Sequence, residues 1–227
     1  MRKEIRHIGI ILDGNRRYAK SRGLPLWEGH RLGREKGKEL ISKWMVELGI
    51  KELTLYTFSM QNFNRDPKEV KFLMKLFKDW LKSVDLEECE KNGVKVNFIG
   101  RIRLFSEDIQ KLMKKMMEKT KDNNKHTVNL AMGYGGREEV VDAVNKILRE
   151  GKLKKVDEKT FSRYLYLQSE PDLIIRTGGA RRTSNFLIWQ SWYSEWFFVE
   201  KFWPEFEKED LVEIIEEYKK RERRFGK

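Results

Sequence analysis

Cysteine and histidine are scarce in this chain of 227 residues. Cys89 is the only cysteine, which excludes an internal disulfide and any metal site built on several cysteines. Histidine occurs only at positions 7, 30 and 126, which argues against a zinc site built on paired histidines. A lone cysteine fits a reducing compartment, so we expect a cytoplasmic protein.

Long apolar runs are lacking as well. The run at 8–12 is far too short for the hydrophobic region of a signal peptide or for a membrane span. The sequence contains no linker-like stretch, repeat or low-complexity segment. A chain of this length can bury one substantial core, and we therefore expect a single domain over 1–227.

Positive charge is in excess, with 48 Lys and Arg against 36 Asp and Glu. Such a balance suits polyanions, anionic membrane surfaces or diphosphate substrates. Much of the excess lies at 111–121 and 213–224, where Lys or Arg alternates with acidic residues, which is typical of a solvated, ion-paired surface. No RNA-binding signature or concentrated basic helix is present, so we expect no nucleic-acid partner.

Apolar, strand-like runs alternate along the chain with helical patterns. The strands are predicted at 5–12, 53–58, 94–99, 127–132 and 173–175, and the helices at 33–48, 67–92, 107–121, 138–149, 158–167 and 208–223. This alternation predicts an α/β fold, in which a central, mostly parallel sheet is flanked by helices.

The predicted helix that begins at Pro67 is more apolar than a surface helix needs to be. Beside its expected core stripe, Phe72, Leu76 and Trp80 lie off the centre of that stripe. Burial under another element, or in a dimer interface, would explain them. The alternative is a helix that packs on the sheet with one side and lines a hydrophobic cavity with the other.

Two short segments follow directly on predicted strands, at 13–17 and 176–184. The first reads Asp-Gly-Asn-Arg-Arg, so a carboxylate and two arginines meet at the start of a helix, where an anion can bind. A carboxylate among phosphate-binding groups is usually accommodated by Mg²⁺. A helix cap with two surface arginines is the structural alternative, because such turns are common.

The second segment crowds Arg176, Arg181 and Arg182 around two glycines, and clustered arginines repel unless an anion neutralises them. Downstream, Glu195 lies in an aromatic stretch and needs either a metal or a salt bridge there. His30, after Gly29, could donate to a phosphate or serve as a packing histidine. The residues from Ser59 to Arg65 suit an ionic head beside an apolar body, or a simple turn.

Together these segments resemble the cis-prenyltransferase family, the undecaprenyl diphosphate synthases and related (Z)-polyprenyl diphosphate synthases. The resemblance covers nearly the whole chain. Its motifs are HIGIILDGNRRYAK at 7–20, Gly29 with His30, TLYTFSMQNFNR at 54–65, GYGGR at 133–137, DLIIRTGGARRTSNFLIWQSWYSE at 172–195, FWPEF at 202–206 and RERRFG at 221–226.

The resemblance implies a homodimeric enzyme that uses Mg²⁺ and has a hydrophobic tunnel. It also implies roles for single residues. Asp13 would hold the metal, Glu195 would be a further metal ligand, and Asn62 would assist proton removal. The allylic diphosphate would bind to Gly14, Asn15, Arg16, Arg17 and His30, and isopentenyl diphosphate to Arg176, Arg182 and Ser184, with Tyr18, Ser59, Met60, Gln61, Phe63, Arg65 and Thr183 completing the substrate-binding set.

Some positions depart from the family pattern. Leu26 stands where many relatives carry a diphosphate-binding arginine, for which Arg22 or Arg34 could compensate. Met60 and Gln61 replace a frequent Ser and Glu, and Thr57 stands where long-chain enzymes often have Ala.

The implied activity is sequential cis-condensation of isopentenyl diphosphate with an allylic diphosphate, farnesyl or geranylgeranyl diphosphate, to a (Z)-polyprenyl diphosphate that precedes a glycosyl carrier lipid. A short-chain cis-synthase is the alternative within this class. A non-catalytic partner subunit is the alternative outside it, although the retained charged residues argue against that. Peripheral membrane contact for product release stays open.

Overall fold

Six parallel strands form one sheet in this computed structural model, which describes residues 4–221. The strands are β1 His7–Ile11, β2 Glu52–Ser59, β3 Val94–Ile99, β4 His126–Tyr134, β5 Leu173–Arg176 and β6 Glu195–Phe198. Their spatial order is β3-β4-β2-β1-β5-β6, and every neighbouring pair is parallel. The predicted fold class is therefore confirmed.

Nine helices of the described part surround the sheet. They are α1 Asn15–Ser21, α2 Leu26–Glu39, α3 Met45–Glu47, α4 Pro67–Ser83, α5 Leu86–Asn92, α6 Glu107–Thr120, α7 Gly136–Glu150, α8 Glu158–Ser162 and α9 Lys208–Lys220. A π-helical turn, Leu40–Trp44, joins α2 to α3, and short 3₁₀ turns lie at Met60–Asn64, Ile102–Leu104 and Trp203–Glu205. No helix in residues 4–221 has the length and apolar character to cross a bilayer.

Three predicted helices differ from the structure, and one strand was missed. The helix predicted at 67–92 is two helices, because Asp85 accepts hydrogen bonds from the backbone of Glu87 and Glu88 and so caps a new start. The helix predicted at 33–48 begins earlier, at Leu26, and the one predicted at 158–167 ends at Ser162. Strand β6 was not predicted. The end of the last predicted helix, at 222–223, and the motif residues 222–226 lie outside the described residues.

The order of the strands creates a crevice between β1 and β5. After β1 the chain continues to β2 on one side, and after β5 it continues to β6 on the other side. Ligands of open parallel sheets bind outside the carboxyl ends of the strands where the direction of winding changes in this way. Both predicted anion-binding segments begin at this crevice, since Ile11 pairs with Arg176 in the last register of β1 and β5.

Candidate active site

Asp13 and Arg176 meet at the crevice between β1 and β5. The Arg176 Nη2 atom donates to Asp13 Oδ2 over 2.8 Å, and the arginine side chain is buried although it is charged. A buried cation of this kind needs a carboxylate or an anion beside it. The two segments that the sequence places far apart are therefore parts of one site.

Asp13 is held in its ionised form. Burial by itself raises the pKa of this carboxyl, but the hydrogen bond and charge of Arg176, the charge of Arg17 and the Gly14 N–H outweigh it, so the pKa lies below its ordinary value. Gly14 has a φ of 105°, and a Cβ there would lie 2.8 Å from the Phe202 ring. Only glycine can close this turn without displacing Phe202.

Arg17 links the two segments. Its Nη1 atom donates to the carbonyl of Gly178 over 2.6 Å, its Nη2 atom lies 3.2 Å from Asp13 Oδ1, and its guanidinium covers the Phe202 ring. The side chain is half-exposed, so one edge of the guanidinium stays open to a ligand. An anion bound here would contact both segments through one residue.

The segment after β5 is shaped by Arg176 and by left-handed backbone. Arg176 Nη1 donates to Ser184 Oγ over 2.7 Å and to the carbonyl of Arg182 over 2.6 Å. Ser184, Asn185 and Leu187 have positive φ angles, a conformation that side chains disfavour and that persists where neighbours enforce it. Arg182, Thr183 and Ser184 are exposed at this crevice, as a second anion site requires.

Asn185, which the sequence reading did not select, holds that segment in place. Its amide donates to Glu138 Oε2 over 2.8 Å, and its Oδ1 atom accepts from the backbone N–H of Arg137 over 2.8 Å. The Tyr56 hydroxyl donates to the carbonyl of Ser184. Arg137 of the GYGGR motif and the adjacent Glu138 therefore fix the Arg182–Ser184 segment through Asn185. No local sequence pattern predicts this contact.

A polar pocket of about 410 Å³ opens beside Asp13. It is lined by Leu12, Asp13, Gly14, Asn15, Arg16, Arg17, Lys20, Leu26, His30 and Arg65. Five of these residues were predicted for the first diphosphate, Asp13 was predicted to hold the metal, and Arg65 was predicted for the substrate-binding set. Lys20 adds a cation that the sequence reading missed. Leu26 leaves one wall apolar, and neither Arg22, paired with Glu205, nor Arg34, paired with Glu35, lines the pocket.

Glu69 organises the basic groups of this pocket. Its Oε1 atom lies 3.0 Å from Arg65 Nη1, 3.3 Å from His30 Nε2 and 3.8 Å from Arg16 Nε. Burial and the charge of Arg65 lower the pKa of His30, which Glu69 partly offsets, so the imidazole is neutral at pH 7. Arg65 lies one helical turn before Glu69, but His30 is 39 residues away in the chain, so no local pattern in the sequence identifies Glu69 as the shared partner.

The turn after β2 brings only part of its predicted residues to the pocket. Asn62 Oδ1 accepts from the backbone N–H of Ser59 over 2.9 Å, so its amide is oriented by the turn. Phe63 instead packs edge-on against Phe58, at 4.9 Å between ring centroids. Met60, Gln61 and Phe63 line a separate cleft together with Glu138. The role of Asn62 in proton removal stays a prediction.

Two further predicted residues lie away from the polar pocket. The Tyr18 ring lies under the guanidinium of Arg22 and is not among the residues that line it. Glu195 pairs in register with Leu173, at the amino end of β5, whereas Asp13 follows the carboxyl end of β1. The pair Glu195–Leu173 lies three residues of strand, or about 10 Å, from Arg176 at the carboxyl end of β5. Within one chain, Glu195 contacts Arg221 at 3.1 Å, and its role as a further metal ligand stays a prediction.

An apolar cavity of about 160 Å³ adjoins the polar pocket and lies between the sheet, α2 and α4. Leu12, Asn15 and His30 line both spaces. Of the three apolar residues that lie off the core stripe of α4, Leu76 and Trp80 line the cavity and Phe72 does not. The cavity interpretation of this helix is therefore supported for two of the three residues.

The donor set at Asp13 fits Mg²⁺ that is shared with a diphosphate. No group of three or more His, Cys, Asp or Glu side chains in residues 4–221 could hold a metal. Asp13 supplies one ionised carboxylate next to a phosphate-sized pocket. Mg²⁺ is commonly bound by one or two carboxylates together with substrate phosphates and water, which is the arrangement these residues allow.

Comparison with known proteins gives consistent matches over nearly the full chain. Residues 11–226 match the family model of undecaprenyl diphosphate synthase. An isoprenyl transferase of Rickettsia bellii is 45% identical over 225 residues, 98% of either chain. A tritrans,polycis-undecaprenyl-diphosphate synthase (geranylgeranyl-diphosphate specific) of Thermoplasma volcanium is 45% identical over 230 residues, covering 98% of this chain and 89% of that protein. The crystal structure of lavandulyl diphosphate synthase from Lavandula x intermedia, in complex with dimethylallyl diphosphate, superposes with a TM-score of 0.92 at 36% identity and 98% coverage of both chains.

Proposed function

Because this chain belongs to the undecaprenyl diphosphate synthase family of cis-prenyltransferases, we propose that it adds isopentenyl units repeatedly, in cis, to farnesyl or geranylgeranyl diphosphate. The relative from Thermoplasma volcanium, named as specific for geranylgeranyl diphosphate, favours the longer primer. The product is a (Z)-polyprenyl diphosphate, the precursor of a glycosyl carrier lipid.

One observation carries this proposal, namely that the polar pocket and the apolar cavity share a wall. Leu12, Asn15 and His30 line both. An amphiphile with an anionic head and a hydrocarbon tail would fill both spaces at once, with its head near Asp13 and Arg17. A site that binds only small polar phosphates would not need an apolar cavity next to its polar pocket.

The charged groups suit the departure of a diphosphate. When the allylic C–O bond breaks, the diphosphate takes the electron pair and gains negative charge, and Arg16, Arg17 and Arg65 lie where they would stabilise it. The alkene of isopentenyl diphosphate then attacks the allylic C1, and loss of a proton forms the new cis double bond. Arg176, Arg182 and Ser184 would hold the second diphosphate, and Asn62 would assist proton removal.

Mg²⁺ belongs to this proposal as the ion that Asp13 and the diphosphate oxygens would hold together. When bound, it supplies positive charge that helps to stabilise the leaving diphosphate. Asp13 is suited to this role since its lowered pKa keeps it ionised at neutral pH. Arg176 and Arg17 contact the Asp13 carboxylate and fix its orientation.

A homodimer is the second part of the proposal. Val141, Val144 and Leu148 lie three and four residues apart on one face of α7 and are exposed, Leu148 by 71%. Ile188, which packs against the start of α7, and Trp192 are also exposed. Exposed apolar side chains on one helix face are typical of an interface. A second copy would cover it, in accord with the family resemblance.

Peripheral membrane contact is the third part of the proposal. Residues 14–38 carry eight Lys and Arg but two Glu. Leu24 and Trp27 are exposed beside the polar pocket, Trp27 by 57%. A basic surface with a protruding tryptophan suits the interface of an anionic bilayer, where a long prenyl product would be released.

The test is incorporation of labelled isopentenyl diphosphate with each allylic primer, with and without Mg²⁺. We expect incorporation only with Mg²⁺, and Asp13→Asn should reduce it at least about 100-fold, as expected for a preorganised electrostatic group. Asp79→Asn, which removes an exposed carboxylate of α4 away from the site, is the matched control. Chromatography of the dephosphorylated products separates a long-chain from a short-chain enzyme. No incorporation with any primer would instead indicate a non-catalytic partner subunit.

A further inference from the structure

Helix α7 begins without a cap of its own. The residue before it is Gly135, which has no side chain, and the backbone N–H groups of the first helical turn lack partners within the helix. Asn185, 48 residues beyond Arg137 in the chain, supplies partners for two of them. Its Oδ1 atom accepts from the N–H of Arg137 over 2.8 Å, and its carbonyl accepts from the N–H of Gly136 over 2.7 Å. Asn185 therefore takes the place of a local N-cap residue.

Glu138, in the first turn of α7, fixes the other end of the Asn185 side chain. The Asn185 amide donates to Glu138 Oε2 over 2.8 Å. A carboxylate only accepts and a backbone N–H only donates, so one orientation of the Asn185 amide satisfies both of its partners. The side chain is therefore held in a defined position between Glu138 and the N–H of Arg137.

The close approach of α7 to Asn185 depends on two glycines. A Cβ at Gly135 would lie 2.6 Å from Asn185 Nδ2, and a Cβ at Gly136 would lie 2.6 Å from the side chain of Ile188. A larger residue at either position would push the two segments apart. The contact therefore depends on the backbone as well as on the two side chains.

The contact holds a backbone conformation that is disfavoured in isolation. Ser184 and Asn185 have φ angles of 50° and 65°, in the left-handed region. Asparagine tolerates this region better than serine does. Ser184 therefore depends on its neighbours, namely on Asn185, which is fixed to α7, and on the Tyr56 hydroxyl, which donates to the Ser184 carbonyl over 3.2 Å.

Ser184 lies where the second diphosphate is expected. Its Oγ atom accepts from Arg176 Nη1 over 2.7 Å, and the residue is exposed at the crevice. The other terminal nitrogen of Arg176, Nη2, is held by Asp13. A shift of Ser184 would therefore break the Ser184–Arg176 hydrogen bond and leave the Arg176–Asp13 pair in place.

We infer that Asn185 and Glu138 form a positioning pair that fixes Ser184 for the diphosphate of isopentenyl diphosphate. The inference rests on the proposed function, in which Arg176, Arg182 and Ser184 hold the second substrate, and adds two residues that act through Ser184. Loss of the pair should weaken the binding of isopentenyl diphosphate selectively, because neither residue lines the pocket for the allylic diphosphate.

Asn185→Asp tests the pair, since it keeps the acceptor for the N–H of Arg137 but places a second carboxylate against Glu138. We expect the KM for isopentenyl diphosphate to rise about tenfold, as it does when a positioning group is displaced, while the KM for the allylic primer changes by less than about twofold. Asn124→Asp, at an exposed asparagine before β4, makes the same charge change and is the matched control. Both of its KM values should equal those of the wild type.

Glu138→Gln provides the rescue. When it is combined with Asn185→Asp, the new amide donates to the new carboxylate, so the hydrogen bond forms again with donor and acceptor exchanged. The KM for isopentenyl diphosphate should return to within about threefold of the wild-type value, since a neutral-to-charged hydrogen bond is restored. Glu138→Gln alone should have little effect, because the glutamine oxygen still accepts from Asn185.

Circular dichroism and urea unfolding check that each variant is folded. If Asn185→Asp does not fold, Glu138→Ala, which removes only the acceptor of the Asn185 amide, carries the test and should raise the same KM selectively.

The outcomes separate this inference from the proposed function. If the wild type incorporates isopentenyl diphosphate but the folded variants leave its KM unchanged, or raise both KM values alike, the pair does not position the second diphosphate, and the inference is rejected alone. If the wild type incorporates none with any primer, the proposed function is rejected, and the inference with it.

Discussion

At the scale of single residues, the candidate site depends on a few carboxylates that orient a larger number of cations. Asp13 engages Arg176 and Arg17, and Glu69 engages Arg65, His30 and, more loosely, Arg16. Guanidinium groups have several rotamers, so a fixed acceptor reduces the cost of placing them around an anion. Asp13 was predicted from its place after β1, whereas Glu69 was identified only from its contacts.

Glu69→Gln should reduce kcat/KM for the allylic diphosphate by about tenfold or more, since Arg65 and His30 lose the anion that positions them. Glu69 also raises the pKa of His30, so the variant should lower this pKa further, which the imidazole signals in an NMR pH titration report. Asp79→Asn, on the exposed side of the same helix, is the control. An unchanged kcat/KM together with an unchanged His30 titration would refute the positioning role.

At the scale of elements, α1 and α2 are packed closely enough to shape the polar pocket. Gly29 and Gly33 lie four residues apart on α2, and a Cβ on either would come closer than 3.0 Å to Asn15. For Gly29 the obstructing atom is the backbone carbonyl oxygen of Asn15, which cannot turn aside. The absence of side chains at these positions therefore sets where the Asp13–Arg17 segment lies.

Gly29→Ala should destabilise the protein by about 1–3 kcal/mol, as overpacking does, and should raise the KM for the allylic diphosphate because Asn15 shifts. Gly37→Ala is the control on the same helix, with no atom within 4 Å of the added Cβ. That variant should be as stable as the wild type or more so, since alanine favours helix. Urea unfolding gives both free energies. Equal stability of the two variants would contradict the close approach of α1 and α2.

At the scale of the whole molecule, the two ends of the sheet have different roles. The carboxyl ends of β1 and β5 carry the polar pocket and the Arg176 segment, while Glu195 lies at the amino end with Asp172 and Arg221 nearby. No residue of α7 lines the polar pocket or the apolar cavity. A second copy could therefore bind there without closing the entrance to the polar pocket.

Leu148→Glu should convert a dimer to a monomer, because it places a charge at the most exposed residue of the apolar face of α7. Val212→Glu, on α9, removes another exposed apolar residue and should leave the assembly unchanged. Sedimentation equilibrium of both variants measures the mass. A wild-type protein that is monomeric at micromolar concentration would exclude the proposed dimer.

The local sequence determined the elements whose signals are local. Five strands are apolar runs because both faces of a parallel sheet are covered, and Asp13 and Arg176 could be assigned to strand ends for that reason. Strand β6 escaped prediction because it is short, begins at Glu195 and lies in an aromatic stretch that resembles ordinary core. Likewise, the apolar periodicity alone predicts a single helix, whereas Asp85 caps the start of a second one.

Tertiary structure decided which of these residues meet. Glu69 reaches His30 across 39 residues of chain, and the apolar cavity exists only because α4 faces α2 over the sheet. The register of β5 and β6 decided that Glu195 lies at the opposite end of the sheet from Asp13. A side chain's residue type and its neighbours in sequence determine what it can bind, whereas strand order and helix packing determine what it contacts.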